Sequence, residues 1–233
     1  MLCVEQFRCG ADNFSYLIYG KSQAVAVDGV AWQEILAFLK QNKLEMALVT
    51  NTHGHFDHTS GNDHLLGRTK AKFFGFAELA DNKEIQIDSE NIFVWRTPGH
   101  TEDSVCFRAG NFLISGDTLF NGTIGNCFTG DLQSFYLSVK RLMTLPDETI
   151  VYAGHDYVRD SLAFAARLEP DNKDIDSFRA SYDFSHVYST MAEERRINPY
   201  LRFNEEPIIS LLKKRGLPVA TEWERWKSLM SIE

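Results

Sequence analysis

The stretch Thr52-His53-Gly54-His55-Phe56-Asp57-His58 places four metal-binding side chains within six positions. It follows residues 46–50, whose run of apolar residues predicts a buried strand. In extended backbone, side chains two residues apart point the same way, so His53 and His55 can bind one ion. Asp57 and His58 are then displaced toward a second ion. Neutral imidazoles and carboxylates suit zinc, iron or manganese.

Three shorter motifs have the same design, with a histidine or an aspartate next to a glycine and just beyond a predicted strand. His100 follows the strand predicted for residues 92–96, and Asp117 follows the one at 111–115. His155 follows the strand predicted for residues 149–153. Because a layered α/β protein collects strand ends at one edge, we expect the four loops to meet there.

The predicted ligand set therefore contains seven side chains: His53, His55, Asp57, His58, His100, Asp117 and His155. Seven ligands are too many for one tetrahedral ion, but they suit two ions that share one carboxylate and leave room for water. Five of the seven histidines in the chain belong to this set, which argues against a merely polar surface loop. Such an open centre favours metal-assisted hydrolysis, because two ions can activate water and polarise a carbonyl.

The rest of the pattern predicts an α/β fold followed by a helical segment. Short strands and hairpins dominate the first part, interrupted by an amphipathic helix at residues 31–40. Further helices are predicted at residues 132–142, 160–168, 190–197 and 208–215. No strand is expected after Tyr157. We therefore divide the chain into a β-rich α/β domain, residues 1–170, and a C-terminal helical domain, residues 171–233.

Composition and charge disfavour several other classes of protein. The 233 residues carry a formal net charge of −8, which disfavours nucleic acid as a general partner. No apolar run is long enough to span a membrane, and the first residues lack the features of a signal peptide. Four cysteines without a CxxC pair indicate reduced thiols, so we expect a cytoplasmic protein. Nothing implies an obligate protein partner.

Together, THGHFDH, TPGHT, GDTLF and AGHDY resemble the metallo-β-lactamase superfamily and, within it, glyoxalase II, the hydroxyacylglutathione hydrolase. The C-terminal part is similar as well, at residues 165–172 (AARLEPDN), 190–194 (TMAEE) and 198–202 (NPYLR). The resemblance covers nearly the whole chain. It implies an αββα sandwich with a small C-terminal helical domain that binds substrate. It also implies two divalent metal ions, with zinc expected and iron or manganese as alternatives.

The resemblance assigns the ligands to two ions: the first is bound by His53, His55 and His100, the second by Asp57, His58 and His155, and Asp117 bridges both. Asp57 and Asp117 are the expected catalytic carboxylates. A metal-bridging hydroxide would attack the carbonyl of a thioester, and the thiolate would leave. The implied substrate is a small molecule, an S-acylglutathione such as S-lactoylglutathione.

The substrate contacts implied by the resemblance depart from the family pattern. Tyr157 matches a tyrosine that contacts the glutathione backbone. Where the family has a cationic residue and then an aromatic hydroxyl, this chain has Asn126 and Phe128. The family's C-terminal Arg and Lys align with Lys227 and Met230, so one cation remains. Losing a charge-assisted hydrogen bond costs about 1.5–3 kcal/mol, so two such losses would weaken glutathione binding about a hundredfold or more.

Other functions stay open at this point. The hydrolase could act on another thioester, an ester or a lactone. The single-iron persulfide dioxygenases use a His, His, Asp set within the same motifs, although they typically lack the long helical tail. The complete ligand set disfavours a non-catalytic binding protein, and the negative net charge disfavours an RNA-processing enzyme. Outside the ligand set we expect structural, surface or bystander roles for His64, His186, Asp156 and Cys127.

Overall fold

Two β-sheets form the centre of the molecule in the computed structural model, which describes residues 1–232. The first sheet contains, in spatial order, β1 (Cys3–Cys9), β2 (Asn13–Tyr19), β3 (Gln23–Val27), β4 (Glu45–Thr50) and β5 (Lys72–Phe74). The second contains β6 (Glu84–Ile87), β7 (Glu90–Arg96), β8 (Val105–Ala109), β9 (Phe112–Gly116), β12 (Ile150–Ala153) and β13 (Ser189–Thr190). A small separate hairpin is formed by β10 (Leu119–Phe120) and β11 (Thr123–Ile124).

Helices pack around the two sheets. In chain order they are α1 (Trp32–Asn42), α2 (Phe56–Thr59), α3 (Asn62–Leu66), α4 (Leu132–Leu142), α5 (Val158–Leu168), α6 (Lys173–Ser181), α7 (Met191–Ile197), α8 (Glu206–Lys214) and α9 (Glu222–Met230). The longest of them have 11 residues. Accordingly, no helix within residues 1–232 has the length and apolar character needed to cross a lipid bilayer.

The alternating side chains of the strands build two of the buried layers. Phe14 and Tyr16 of β2 pack with Phe107 of β8 in the cluster between the sheets. Leu17, which points to the opposite face of β2, packs instead with Ile35 of α1. A single strand therefore contributes both to the central core and to the helix-covered outside of the first sheet.

The outer face of the second sheet packs against helices from both halves of the chain. Leu113 of β9 and Val151 of β12 share one buried cluster with Phe135 of α4, Leu212 of α8 and Trp226 of α9. The layers therefore run helix, sheet, sheet, helix, which confirms the predicted α/β sandwich. The C-terminal helices close its outer layer on the second sheet.

The expectation of no strand beyond Tyr157 is wrong. Ser189 and Thr190 pair antiparallel with Val151 and Ile150 of β12, so a two-residue strand extends the second sheet. Such a strand is too short to carry an alternating pattern that sequence could reveal. Thr190 also caps α7 by accepting a hydrogen bond from the main-chain N–H of Glu193, so the predicted helix begins one residue later.

The strands β4, β7, β9 and β12 end at the same edge of the sandwich and lead into the four predicted loops. Because β9 and β12 run parallel, Gly116 and Ala153 lie side by side. The main-chain N–H of Gly154 donates to the oxygen of Gly116 at 2.9 Å, and that of Phe14 donates to the oxygen of Gly154 at 2.9 Å. The second bond joins the two sheets at this edge and fixes the loop that carries His155.

Candidate metal centre

The seven predicted ligands meet at this edge of the sandwich. The loop after β4 and the helix α2 supply the first four, and the loops after β7, β9 and β12 supply the others. Their ligand atoms form overlapping groups whose members all lie within 4.8 Å of one another: His53, His55 and His100; His53, His58 and Asp117; Asp57, His58 and His155. The strand ends thereby bring together residues that are distant in the chain: His55 and His100 are 45 positions apart, and His58 and His155 are 97 positions apart.

His53, His55 and His100 form the first group. The Nε2 atom of His53 lies 3.0 Å from Nδ1 of His55, and that Nδ1 lies 3.2 Å from Nε2 of His100. Ligand atoms held by a tetrahedral ion at about 2.0–2.1 Å lie roughly 3.3 Å from one another. The three nitrogen atoms therefore have the spacing that a single ion requires.

Asp57, His58 and His155 form the second group. The Nε2 atoms of the two histidines are 3.2 Å apart, and Oδ2 of Asp57 lies 3.4 Å from Nε2 of His155. Asn13 holds the aspartate in place, because its side-chain amide donates to the main-chain oxygen of Asp57 at 2.8 Å. Asp57 itself is half exposed, so the second group is the one that faces solvent.

Asp117 lies between the two groups. Its Oδ2 atom is 3.5 Å from Nε2 of His100 in the first group and 3.6 Å from Nε2 of His155 in the second. Its Oδ1 atom is 3.5 Å from Nε2 of His58 and is buried without a hydrogen-bond partner. A carboxylate in this position can contact ions in both groups, as the predicted bridging role requires.

Asp28, which follows β3, is a buried carboxylate behind the ligands. Its Oδ2 atom accepts hydrogen bonds from Nδ1 of His58 at 2.9 Å and from the hydroxyl of Thr52 at 2.7 Å. Its Oδ1 atom accepts from the main-chain N–H of Thr52 at 2.7 Å. These bonds leave Nε2 of His58 facing the second group, the arrangement by which proteins orient metal-binding histidines.

The other histidines are oriented in the same way. Because the Thr52 hydroxyl donates to Asp28, the neighbouring Nδ1–H of His53 donates to the Thr52 oxygen at 3.1 Å. Nδ1–H of His100 donates to the main-chain oxygen of Asn126 at 2.9 Å. In both rings Nε2 is left with a free lone pair, and both lone pairs face the first group.

The pKa values of Asp117 and His58 show that several negative charges lie close together around the centre. Burial raises the pKa of Asp117 to about 7, and the negative charges of Asp28, Asp57 and Asp12 act in the same direction against the opposing effect of His58. Burial lowers the pKa of His58, but Asp28, Asp117 and Asp57 outweigh it and raise the value to about 9. Each of these shifts favours a cation between the carboxylates.

Three of the other ligand histidines, His53, His100 and His155, have lowered pKa values that favour the neutral ring. Burial lowers the pKa of His100 to about 4, even though the hydrogen bond to Asn126 opposes that shift. Burial also lowers the pKa of His53 far below its ordinary value and lowers that of His155. Neutral imidazoles are the form that binds metal. The converging lone pairs and the unpartnered Asp117 oxygen therefore fit divalent ions in both groups, and an ion in the second group would take the place of the second proton of His58.

Two glycines allow the loops to approach so closely. Gly116, directly before Asp117, has a φ of +50°, and an added Cβ would collide with the side chain of Thr52. Gly154, directly before His155, packs against the carboxylate of Asp117, and an added Cβ would occupy the place of Oδ1. The glycines beside Asp117 and His155 thus allow close packing around the centre.

The residues predicted to contact substrate lie in different settings. Tyr157 directly precedes α5, and its ring stacks on that of His155, with 5.0 Å between the ring centroids and 3° between the ring planes. The exposed ring of Phe128 lies edge-on to His100 at 5.1 Å and to His55 at 5.7 Å. Asn126 is exposed, and its main chain rather than its side chain supports His100. These three residues therefore line the mouth of the centre.

The C-terminal pair lies on α9. Lys227 is exposed there, whereas Met230 is partly buried in the cluster that surrounds Trp226. Trp226 packs edge-on against Phe135 at 5.9 Å, and Phe135 in turn lies directly under Gly99 in the His100 loop. The helix α9 therefore supports this loop from behind.

The residues outside the ligand set have other partners. His64 stacks on Trp32 at 4.5 Å, and His186 packs against Tyr152. Asp156 accepts hydrogen bonds from Arg8 at 2.6 Å and from the hydroxyl of Tyr182 at 2.7 Å. Cys127 is partly buried against the outer cluster of the second sheet. These contacts agree with the structural roles expected for them.

Sequence reasoning missed Asp28, Asp12 and Asn13. Asp28 stands directly after a buried strand, as His100, Asp117 and His155 do, and this position could have drawn attention to it. Its φ of +53° is one that aspartate tolerates better than most residues. Asp12, whose Oδ1 lies 3.5 Å from Nδ1 of His155, belongs to the turn before β2, and Asn13 begins that strand; neither position carries a comparable signal.

Comparison with protein families agrees with this architecture. Residues 11–84 and 78–155 match the model described as metallo-beta-lactamase superfamily. Residues 156–230 match the model described as hydroxyacylglutathione hydrolase C-terminus. The two families thus cover nearly the whole chain, and the second begins directly after His155.

Individual relatives point the same way. The chain is 32% identical to the hydroxyacylglutathione hydrolase of Chromohalobacter salexigens over 93% of its length and 92% of the relative's. It is 30% identical to that of Pseudoalteromonas translucida over 100% of this chain and 97% of the relative. Among solved structures, ETHE1 from Myxococcus xanthus matches with a TM-score of 0.70 and 26% identity, over 97% of this chain and 99% of that one. The chain therefore belongs to the metallo-beta-lactamase superfamily and, within it, to the hydroxyacylglutathione hydrolase, or glyoxalase II, family of enzymes.

Proposed function

We propose that this protein is a binuclear metal-dependent hydrolase that cleaves a thioester, with an S-acylglutathione such as S-lactoylglutathione as the preferred substrate. The observation that carries the proposal is the pair of three-ligand groups with Asp117 between them. The names of the relatives supply the substrate class. We propose zinc as the metal, because imidazole and carboxylate ligands at this spacing suit it, with iron and manganese as the alternatives.

The two groups of ligands define what the chain itself contributes. A pair of divalent ions, when bound, supplies an acidic water and polarises the scissile carbonyl. Asp28 and Thr52 keep the rings of His58 and His53 turned toward the centre, so that these ligands need no rearrangement during turnover. Asp57 and Asp117 provide the negative charge that retains cations at a site open to solvent on one side.

The thiolate leaving group of a thioester does not need to be protonated by the protein. A thiol has a pKa of about 8.5, so a thiolate can depart without a proton from a general acid. Burial raises the pKa of Tyr157 to about 12, with Asp12, Asp117 and Asp57 acting in the same direction. Tyr157 therefore keeps its proton and can donate a hydrogen bond to the thiol portion of the substrate while that portion leaves.

The mouth of the centre favours a mixed polar and apolar substrate. Phe128 presents an exposed ring directly beside His55 and His100. Asn126 offers an amide in place of the cation that the family pattern has. We propose that residues 171–233 complete the substrate site as a C-terminal domain, with Lys227 as its contributing cation. The four free cysteines support a reducing compartment, and we propose the cytoplasm.

A second candidate is a single-iron persulfide dioxygenase, which the similarity to ETHE1 favours. A dioxygenase needs one ion and consumes oxygen, whereas the hydrolase needs two ions and releases a thiol. Residues 156–230 match the model described as hydroxyacylglutathione hydrolase C-terminus, and this match is the reason for ranking the hydrolase first.

The decisive experiment combines metal content with substrate choice. Protein reconstituted with zinc should bind two ions per chain and hydrolyse S-D-lactoylglutathione faster than a thioester that lacks the glutathione peptide. His58→Ala should lose one ion and most of the activity, whereas His64→Ala, which changes an exposed histidine outside the centre, should lose neither. If the protein instead binds one iron per chain and consumes oxygen, the proposed hydrolase is wrong and the protein is a dioxygenase. Equal activity on both thioesters would leave a hydrolase that does not recognise glutathione.

A further inference from the structure

A cavity of about 250 Å³ lies directly beside the metal centre, on the side of His155. Its wall includes Tyr157, Arg159 and Asp160 from the start of α5, and Tyr182 and Phe184 from the segment after α6. Because Tyr157 also stacks on His155, one aromatic ring separates the cavity from the ligands. A substrate whose carbonyl lies at the centre can therefore extend its other end across Tyr157 into this space.

The wall of the cavity is held in place before any ligand arrives. The guanidinium of Arg8 lies between two aromatic rings, 3.7 Å from the centroid of Phe184 and 4.7 Å from that of Phe14. It also donates to Asp156 at 2.6 Å and to the main-chain oxygen of Phe184 at 2.8 Å. The hydroxyl of Tyr182 donates to the same carboxylate of Asp156 at 2.7 Å. The negative charge of Asp156 is thereby already neutralised by Arg8.

Arg159 is the part of this wall that has unused binding capacity. Across residues 1–232 its guanidinium has neither an ion-pair nor a hydrogen-bond partner, and its neighbour is the ring of Tyr182, 5.8 Å from Cζ to the centroid. A guanidinium presents a planar set of donors that matches a carboxylate in a bidentate manner. The start of α5 adds the positive end of a helix dipole on the same side.

We propose that Arg159, with the rings of Tyr157, Tyr182 and Phe184, binds a carboxylate on the thiol portion of the substrate. This proposal rests on the proposed thioester hydrolase and names the residue that recognises its substrate. It places recognition on the His155 side of the centre, opposite the Asn126 and Phe128 loop, where the family's cation is replaced. Asp160, which also lines the cavity, weakens the positive potential there and offers a second way to test the idea.

The test is equilibrium binding to the zinc-reconstituted protein, measured by calorimetry with two probes. S-methylglutathione carries free carboxylates and cannot be hydrolysed at its thioether, and its diethyl ester keeps the same peptide without those negative charges. We expect the wild-type protein to prefer the free acid about tenfold, a modest factor because Arg159 is exposed and screened by salt. Arg159→Gln should remove the preference, Arg159→Lys should keep part of it, and Asp160→Asn should increase it.

The matched control is Arg167→Gln on the same helix. Arg167 is equally an exposed arginine near an aromatic ring, 5.5 Å from Phe164, but it lies away from this cavity. Arg167→Gln should keep the wild-type preference for the free acid. The proposal is overturned if the wild-type protein shows no preference, or if the preference survives Arg159→Gln. Preference for the free acid without hydrolysis of any thioester would overturn the proposed function and leave this binding site standing.

Discussion

Replacing Asp28 by asparagine tests the centre most sharply, because this one buried carboxylate supports ligands in both groups. Its Oδ2 accepts from His58 and from Thr52. An amide nitrogen in that place donates instead of accepting, so His58 must carry its proton on Nε2, the atom that faces the metal. Removing such a supporting partner typically weakens metal binding 10–100-fold, which corresponds to about 1.4–2.7 kcal/mol.

The assay is competition for zinc between the protein and a chelator of known affinity. We expect Asp28→Asn to lower the affinity for the second ion by that factor. The affinity for the first ion should fall less, because Asp28 contacts His53 only through Thr52. Asp63→Asn, which alters an exposed aspartate on α3, is the control and should bind both ions as the wild type does. If Asp28→Asn holds both ions with wild-type affinity, Asp28 does not orient His58 for metal.

Three further variants test other parts of the molecule. Gly154→Ala should lose bound metal, measured by elemental analysis, because the added Cβ would displace the carboxylate of Asp117. Glu169→Leu should lower the free energy of unfolding in urea by about 3 kcal/mol, since the largely buried guanidinium of Arg202 would lose two hydrogen bonds of 2.8 Å. Burial raises the pKa of Glu194 from 4.5 to about 7, so its contribution to stability is present below about pH 4.5 and is lost as the pH rises through 7; Glu194→Gln should flatten this pH dependence of unfolding.

Each of these variants has an outcome that contradicts the reasoning. Gly110→Ala, where φ is +53° and no atom lies within 4 Å of the added Cβ, should cost about 1 kcal/mol and retain the metal. Equal metal loss in both glycine variants would point to a general folding defect. A cost below about 1 kcal/mol for Glu169→Leu would mean that water solvates Arg202 adequately. Equal slopes of stability against pH for Glu194→Gln and wild type would mean that another group titrates.

The convergence of the seven side chains could be predicted because each of the four motifs that carry them contains a glycine and follows an apolar strand. Both signals are local, and the layered fold then brings the strand ends to one edge. That these residues bind metal stays a prediction until an ion is measured. Most helices and strands were predictable for the same reason, since residues such as Ile35 and Leu39 repeat with helical spacing and are buried as that spacing requires.

What sequence could not supply depends on contacts between distant segments. Asp28 gains its role only because Thr52 and His58 fold over it, and nothing in its own neighbourhood indicates a partner 24 or 30 residues away. The strand β13 exists only because β12 offers an unpaired edge. Arg159 likewise becomes a candidate substrate-binding residue only because the fold places it in one cavity wall with Tyr182, which lies on another segment of the chain.

Each group of ligands combines residues from both sheets: His53 and His55 follow the first sheet and His100 the second, while Asp57 and His58 follow the first and His155 the second. Bound ions would therefore act as cross-links that fasten one layer of the sandwich to the other. Folding and metal uptake become thermodynamically linked, so the melting temperature should rise with free metal concentration. Without the ions, the two sheets would be joined at this edge by protein contacts such as the main-chain hydrogen bond from Phe14 to Gly154.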